Sequence, residues 1–330
     1  MMCLGLIAVL VGSMLIAAPA FAADLPGAPG IPGATTVQQW KDGKKAVFFL
    51  AFDDACPTHR TKVIPELIKR NIPGTFYVIA GNDGLFGKQN WAELATNPNV
   101  IFGNHSFTHK DFPTVEHFED EIIKATDAIN AKVPQLPKDR LISFGKPGGV
   151  KYGISDAQIA EVLARHHLVL RPSFFSYPWG IKDTEHMHAY IEKTIKSGGM
   201  GHFDMHGVDG DWLSTPWDFF TDLLDTLEAN RDQLWLTDAL SYHKYLTERQ
   251  TAAVKPLPGS NAERIELQLT SDADPKWYNL PLTLSTEVPA AWRKCRITQG
   301  TRTATVAVTD GRAMYDAMAG AEPIVLEAAR

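Results

Sequence analysis

The run Ala-Val-Phe-Phe-Leu-Ala-Phe-Asp-Asp, residues 46–54, opens the readable part of the chain. Seven apolar residues in a row, with no polar alternation, describe a short buried strand, and two carboxylates stand where it ends. Working outward, similar runs recur at 75–80 (TFYVIA), 99–103 (NVIFG), 140–145 (RLISFG), 168–175 (LVLRPSFF), 200–205 (MGHFDM) and 233–236 (QLWL). The stretches between them have helical period. In 114–131, Val115, Phe118, Ile122, Ala125 and Ile129 form one apolar stripe with charges opposite. Ser155, Thr215 (with Pro216 at the first helical position) and Thr237 are the expected helix N-caps. Seven strand-then-helix units within about 200 residues predict a parallel α/β architecture, which either an open doubly wound sheet or a closed barrel satisfies. No Gly-x-Gly-x-x-Gly follows a strand, so a dinucleotide site has no support.

Outside this region the character changes. Residues 1–22 carry no charged side chain and end in Pro19-Ala20-Phe21-Ala22, which reads as a signal peptide cut before Ala23, so the protein is expected to be exported to the periplasm or secreted. An uncleaved membrane anchor is the alternative for the same stretch. Residues 23–45 are read as a linker, 46–250 as the main domain, and Pro256-Leu257-Pro258-Gly259-Ser260 as a second linker. Alternating runs at 264–270, 280–286 and 303–308 make 258–330 a small β-rich accessory domain, expected to be a sandwich. Of three cysteines, Cys3 lies in the signal, and nothing in the spacing shows whether Cys56 and Cys295 pair.

The composition, with 32 Lys+Arg against 38 Asp+Glu and 45% hydrophobic residues among 330, is that of a globular protein with ample core. A net charge of −6 offers nucleic acid and anionic membranes no attraction. No protein partner is predicted.

Residues able to bind metal or move protons gather at strand ends: Asp53 and Asp54 after the first, His105 and His109 after the third, Lys146-Pro147 after the fourth, and His206 after the sixth. The carboxyl ends of parallel strands are where active sites assemble. A carboxylate there also serves as a helix N-cap, but a pair is more than a cap needs. His105 and His109, four apart, share one face if the segment is helical and then chelate one cation. Ser106 stands where a His-Glu-x-x-His protease has its Glu, and no Gly-x-Ser-x-Gly elbow is present. Trp212, close behind His206, is either a wall for stacking sugar or a core aromatic.

Taken together, these segments resemble the polysaccharide deacetylase family (NodB homology, carbohydrate esterase family 4 type). LAFDD (50–54) is similar to its first motif, NHSFTH (104–109) to its His-Ser/Thr-x-x-His second motif, and FGKPGG (144–149) to a Pro-Gly-Gly form of the third; MHGVDGDWLS (205–214) is similar to the final motif with a tail. The resemblance covers roughly 46–248. It implies a distorted (β/α)7 barrel and a hydrolase that removes acetyl groups from a polysaccharide or oligosaccharide. It further implies that Asp54, His105 and His109 bind Zn2+ or another divalent transition metal. Asp53 is then the base, His206 the acid, and the backbone at Pro147-Gly148 the support for the oxyanion.

Three departures stand out. The Arg that pairs with the base in the usual third motif is missing, leaving Lys146 or nothing in that role, so a raised Asp53 pKa is expected. An Asp-x-x-Asp-Trp fourth motif is not recognisable between 150 and 200, where Trp179 is the available aromatic. Ala55 and Cys56 replace the usual Gly-Pro after the first motif. N-acetylglucosamine polymers such as chitin or peptidoglycan are the favoured substrates. The alternatives are an O-acetyl xylan esterase of the same mechanism and a non-catalytic saccharide-binding protein on the same scaffold.

Overall fold

The computed structural model describes residues 32–87 and 90–329, and the expected signal, 1–22, lies outside them. The chain enters through strand β1 (Thr35–Val37) and then builds a parallel sheet. Its strands are β2 (Ala46–Asp53), β3 (Gly74–Val78), β4 (Val100–Asn104), β5 (Ile142–Phe144), β6 (Leu168–Leu170), β7 (Met200–Met205) and β8 (Leu234–Thr237). The helices are α1 (Ile64–Arg70), α2 (Val115–Lys132), α3 (Asp156–Arg165), α4 (Thr184–Ser197), α5 (Trp217–Ala229) and α6 (Ala239–Thr251). All seven expected strands form. The link from β3 to β4 is the exception to the strand-helix rhythm, because its described residues carry only single turns at Asp83–Gly87 and Leu94–Thr96.

Strand β2 is buried along all eight residues because it is central. Ala46, Phe48, Leu50 and Phe52 pack into the layer that α1, α4 and α5 cover, while Val47 faces a second core and Phe49 stacks on His202. The sheet order is β6-β5-β4-β3-β2-β7, with β8 pairing β2 as well. Strand β8 takes the first half of one edge of β2 and β3 the second half, leaving the other edge to β7. The result is the expected distorted seven-stranded barrel, open between β6 and β7. Residues 171–177 cross this gap, and the Asp204 N–H donates to the Phe175 carbonyl (2.8 Å).

Most helix starts follow local chemistry. Ser155 caps α3 in a full capping box with Gln158, and Thr114 and Asp183 cap α2 and α4. Two expected caps are displaced. Asp238, not Thr237, caps α6 by accepting the N–H groups of Leu240 and Ser241, and Pro216 occupies the N-cap of α5 with no side-chain bond. The predicted stripe of α2 is buried from Phe118 to Ile129, with Val115 half-buried and Glu121 beside it.

The remaining strands are β9 (Ala253–Pro256), β10 (Arg264–Thr270), β11 (Leu282–Glu287), β12 (Lys294–Gln299), β13 (Arg302–Thr309), β14 (Arg312–Ala317) and β15 (Ile324–Ala328). The expected sandwich is instead one antiparallel sheet of eight strands, ordered β1-β11-β14-β13-β12-β15-β10-β9. It turns over at β13, whose first six residues pair β12 and whose last two pair β14. The stretch 23–45, read as a linker, supplies β1, and β9 ends at Pro256, where the second expected linker begins. The inner face buries Ile265, Leu267, Leu284, Tyr315 and Leu326 together with Trp40, Val47, Trp235 and Tyr245. Val47 and Trp235 lie at the starts of β2 and β8, so the antiparallel sheet covers the end of the barrel opposite the strand ends that carry Asp53 and His206. Cys56 and Cys295 are both buried and free. Burial pushes both thiols up, Cys295 to about 11, so neither is a thiolate nucleophile at neutral pH.

Candidate active site

The site grows from the ends of β2, β4, β5, β6 and β7. After β2 the backbone turns sharply, with Asp54 at φ 73° and Ala55 at φ 56°, swinging the Asp54 carboxylate over the barrel mouth. After β4, the segment 105–109 is a tight loop rather than the helical turn that the four-residue spacing suggested, because Ser106 and His109 adopt φ of 65° and 56°. The loop hangs on α2. Glu121 accepts the N–H groups of Phe107 (3.0 Å) and Thr108 (2.7 Å), and Asn104 donates to the Ile122 carbonyl while accepting the Ser106 N–H (2.8 Å).

These turns bring the ligand atoms of Asp54, His105 and His109 within 4.8 Å of one another. His105 Nδ1–H donates to the Gly145 carbonyl (2.7 Å), which leaves the Nε2 lone pair free. That nitrogen lies 3.4 Å from Asp54 Oδ1, and His109 Nε2 lies 3.9 Å from the same oxygen. Donors about 2.0–2.1 Å from a tetrahedral metal stand roughly 3.3 Å apart. Asp54 Oδ1 is buried and has no hydrogen-bond partner among the described residues. Lone pairs facing one another at this spacing repel unless a cation lies between them, so the donor set fits a divalent metal. Burial, with His105 alongside, holds His109 below its ordinary value, which favours the neutral ring a metal requires.

Asp53 is buried on the inner face of β2. Arg171, at the end of β6, donates to both its oxygens, Nη1 to Oδ1 at 2.6 Å and Nη2 to Oδ2 at 2.7 Å. The same guanidinium lies 3.0 Å from Asp204 Oδ1 and 4.4 Å from the Tyr77 ring centroid. This corrects the expectation for Lys146, which pairs with exposed Asp156 at 2.8 Å and leaves Asp53 alone. It also reverses the expected pKa. Burial alone would raise the Asp53 carboxyl, but Arg171, backed by His105 and His206, holds it below the usual carboxylate value. The strand-end position that marks Asp53, His105 and His206 in the sequence is shared by Arg171 in LVLRPSFF.

His206 follows β7, with Nε2 3.7 Å from Asp54 Oδ2 and its ring against Phe174. Its Nδ1 is buried without a hydrogen-bond partner among the described residues, so no carboxylate takes the place of the missing fourth motif. Asp53, Asp54, His109 and His206 open on one cavity of about 440 Å³, walled by Gly148, Phe174, Trp179 and Leu213. Gly148 is exposed there, whereas Pro147 is buried with its carbonyl bonded to the Tyr152 hydroxyl (2.9 Å). Trp212 is not a wall of the cavity; its indole N–H donates to Asp54 Oδ2 at 2.6 Å. A larger surface hollow of about 790 Å³ between α4 and α5 contains none of these residues.

His59, buried under the site, donates from Nε2 to the His206 carbonyl (2.7 Å). Burial pushes its pKa down to about 4 against 6.5 for the free side chain. The unfolded chain therefore takes up a proton that the folded one refuses. The stability His59 contributes is complete above about pH 6.5 and is lost as pH falls toward 4, by on the order of 3 kcal/mol. Thermal melts between pH 7 and 4 are expected to show a shallower decline for His59→Asn than for the parent. Equal slopes would count against this role.

Residues 41–168 match the family model described as polysaccharide deacetylase. The match ends before Arg171, His206 and Trp212. Among solved structures, the chain is similar to Bacillus subtilis PdaA, a family 4 carbohydrate esterase (17% identity, 58% of this chain and 78% of that one, TM-score 0.44). It is also similar to the Bacillus subtilis peptidoglycan deacetylase PdaC (18%, 60% and 90%, TM-score 0.44). A third is a family 4 pseudoenzyme from Bacillus anthracis (15%, 58% and 63%, TM-score 0.43). The chain spans less than two thirds of the length of that pseudoenzyme. No curated protein matches it.

Proposed function

We propose that the protein is an exported, metal-dependent carbohydrate deacetylase, acting by preference on N-acetylglucosamine polymers such as chitin or peptidoglycan. The observation that carries this reading is the convergence of Asp54, His105 and His109 within 4.8 Å, with Asp54 and His109 opening on the same cavity as Asp53 and His206. Asp54, His105 and His109 would hold the cation, with zinc favoured by the two-imidazole, one-carboxylate set. A divalent ion held there supplies Lewis acidity, bringing the pKa of water down from 15.7 to about 7.

The chain's own groups do the rest. Asp53, kept anionic by Arg171, accepts the proton of the attacking water. The side-chain-free backbone at Gly148 lets the acetyl carbonyl approach closely and offers its N–H to the developing oxyanion. His206, in its protonated form, gives a proton to the departing sugar nitrogen or oxygen. Phe174, Trp179 and Leu213 give the cavity apolar walls suited to the faces of a pyranose ring and to the acetyl methyl group. The products are acetate and a deacetylated sugar.

Acetate release from acetylated chitooligosaccharides and acetylated xylooligosaccharides, each with added zinc and with a chelator, tests this. Metal-dependent release from the first is expected. Release only from the second would make the protein an O-acetyl esterase of the same mechanism. Metal binding with release from neither would leave a saccharide-binding protein, and failure to bind metal would remove the mechanism altogether.

A further inference from the structure

Beyond His206, residues 207–215 form a loop that neither helix nor strand geometry explains. Asp209, Asp211 and Leu213 hold φ of 50°, 63° and 49°, and Gly210 holds 146°. Three left-handed residues other than glycine within five positions persist only where the surroundings over-determine them. Here the surroundings are the segment that follows Asp54. The Thr58 N–H donates to Asp211 Oδ2 (2.7 Å), the Val208 N–H donates to Thr58 Oγ1 (3.1 Å), and Lys62 Nζ donates to Asp209 Oδ2 (2.6 Å). Within the loop, the Gly207 N–H donates to the Trp212 carbonyl (3.1 Å) and the Thr215 N–H to the Gly207 carbonyl (2.8 Å).

The outcome of this latching is one contact, from Trp212 Nε1–H to Asp54 Oδ2 at 2.6 Å. An indole N–H is a donor only, so it neither ligates a cation nor accepts a proton. It therefore divides the labour of the Asp54 carboxylate. Oδ2 is committed to the indole, and Oδ1, which has no hydrogen-bond partner among the described residues, points at His105 and His109.

We propose that Trp212 is a positioning residue for the metal: by occupying Oδ2 it makes Asp54 a one-oxygen ligand and fixes the direction in which Oδ1 points. The proposal rests on the reading of Asp54, His105 and His109 as a metal site. Partners that orient a ligand in this way are typically worth about 10- to 100-fold in metal affinity.

The test is binding of Co2+ to the metal-free protein, followed by calorimetry and by the visible absorption of the bound ion, which reports coordination number. In Trp212→Phe, which keeps the ring and removes the donor, affinity is expected to fall about 10- to 100-fold. The cobalt band is expected to change as Asp54 becomes free to use both oxygens, with the melting temperature of the metal-free protein little altered. Asp211→Ala, which keeps the indole but cuts its latch to Thr58, is expected to weaken binding in the same direction by less, and it decides the matter if Trp212→Phe does not fold. Parent-like affinity and spectrum in the folded variant overturn the proposal while leaving the metal site standing. A parent protein that binds no cobalt overturns both.

Discussion

Arg171→Met is expected to destabilise the protein by about 3–5 kcal/mol and to abolish acetate release, because it leaves two carboxylates without their cation in the barrel interior. Arg171, Asp53 and Asp204 are all nearly inaccessible, and the guanidinium lies 2.6 Å from Asp53 and 3.0 Å from Asp204. Water cannot take over the lost contacts. Asp53 and Asp204 flank the same guanidinium from neighbouring strands, so its removal also sets like charges against each other. Arg171→Lys is expected to recover little, since an ammonium is a point charge and cannot reproduce two parallel N–H bonds to one carboxylate. Urea denaturation of the three proteins at neutral pH measures the effect. A loss below about 1 kcal/mol, the range of an exposed pair, would mean that the buried cluster is not sustaining the barrel.

Deleting 258–330 is expected to have the largest effect of all, loss of soluble folded protein. The strands removed cover Trp40, Val47, Trp235 and Tyr245, all of which belong to the parallel-sheet half or to its entry. At roughly 2 kcal/mol for each large side chain returned to water, the loss approaches the 5–15 kcal/mol that holds a typical domain together. Glu248 of α6 would also lose the Leu280 N–H that its carboxylate accepts at 2.8 Å. Solubility and protease resistance of a protein ending at residue 257 provide the check. A folded, metal-binding product would show that the antiparallel sheet is a separable module.

The parallel half was legible because its signals are local. Unbroken apolar runs mark strands that are buried on both faces, and Ser155 with Gln158 or the stripe of α2 announce helices within a few residues. The five residues at strand ends were legible for a related reason, since the end of a strand is a position in sequence as well as in space. Arg171 shares that strand-end position, but its role was not legible, because its partner Asp53 is 118 residues away and nothing local names it. Strands β12 and β14 do alternate, as in Lys294-Cys295-Arg296-Ile297, but Cys295, Ala313 and Ala317 at their buried positions are small and mark a strand weakly, and β15 is only five residues long. Strand β1 escaped because three residues of Thr-Thr-Val carry too little pattern to stand out from a Pro/Gly-rich stretch. The indole bond of Trp212 depends on a loop whose left-handed residues are two Asp and a Leu, and only Asp hints at such a conformation.

The pairing of Thr35 with Thr286 has a consequence for how the molecule is made. Their hydroxyls meet at 2.9 Å across 251 positions of chain. Contacts of such separation form late, because closure entropy is spent before any contact repays it, and they slow folding. During synthesis the parallel strands can assemble in order, each soon after the last, while β1 waits as an unpaired edge until β11 has emerged. For most of the time the chain takes to emerge, from the ribosome or across a membrane, β1 is the least finished of its described strands. That interval is when the nascent chain is open to pairing with a second copy of itself.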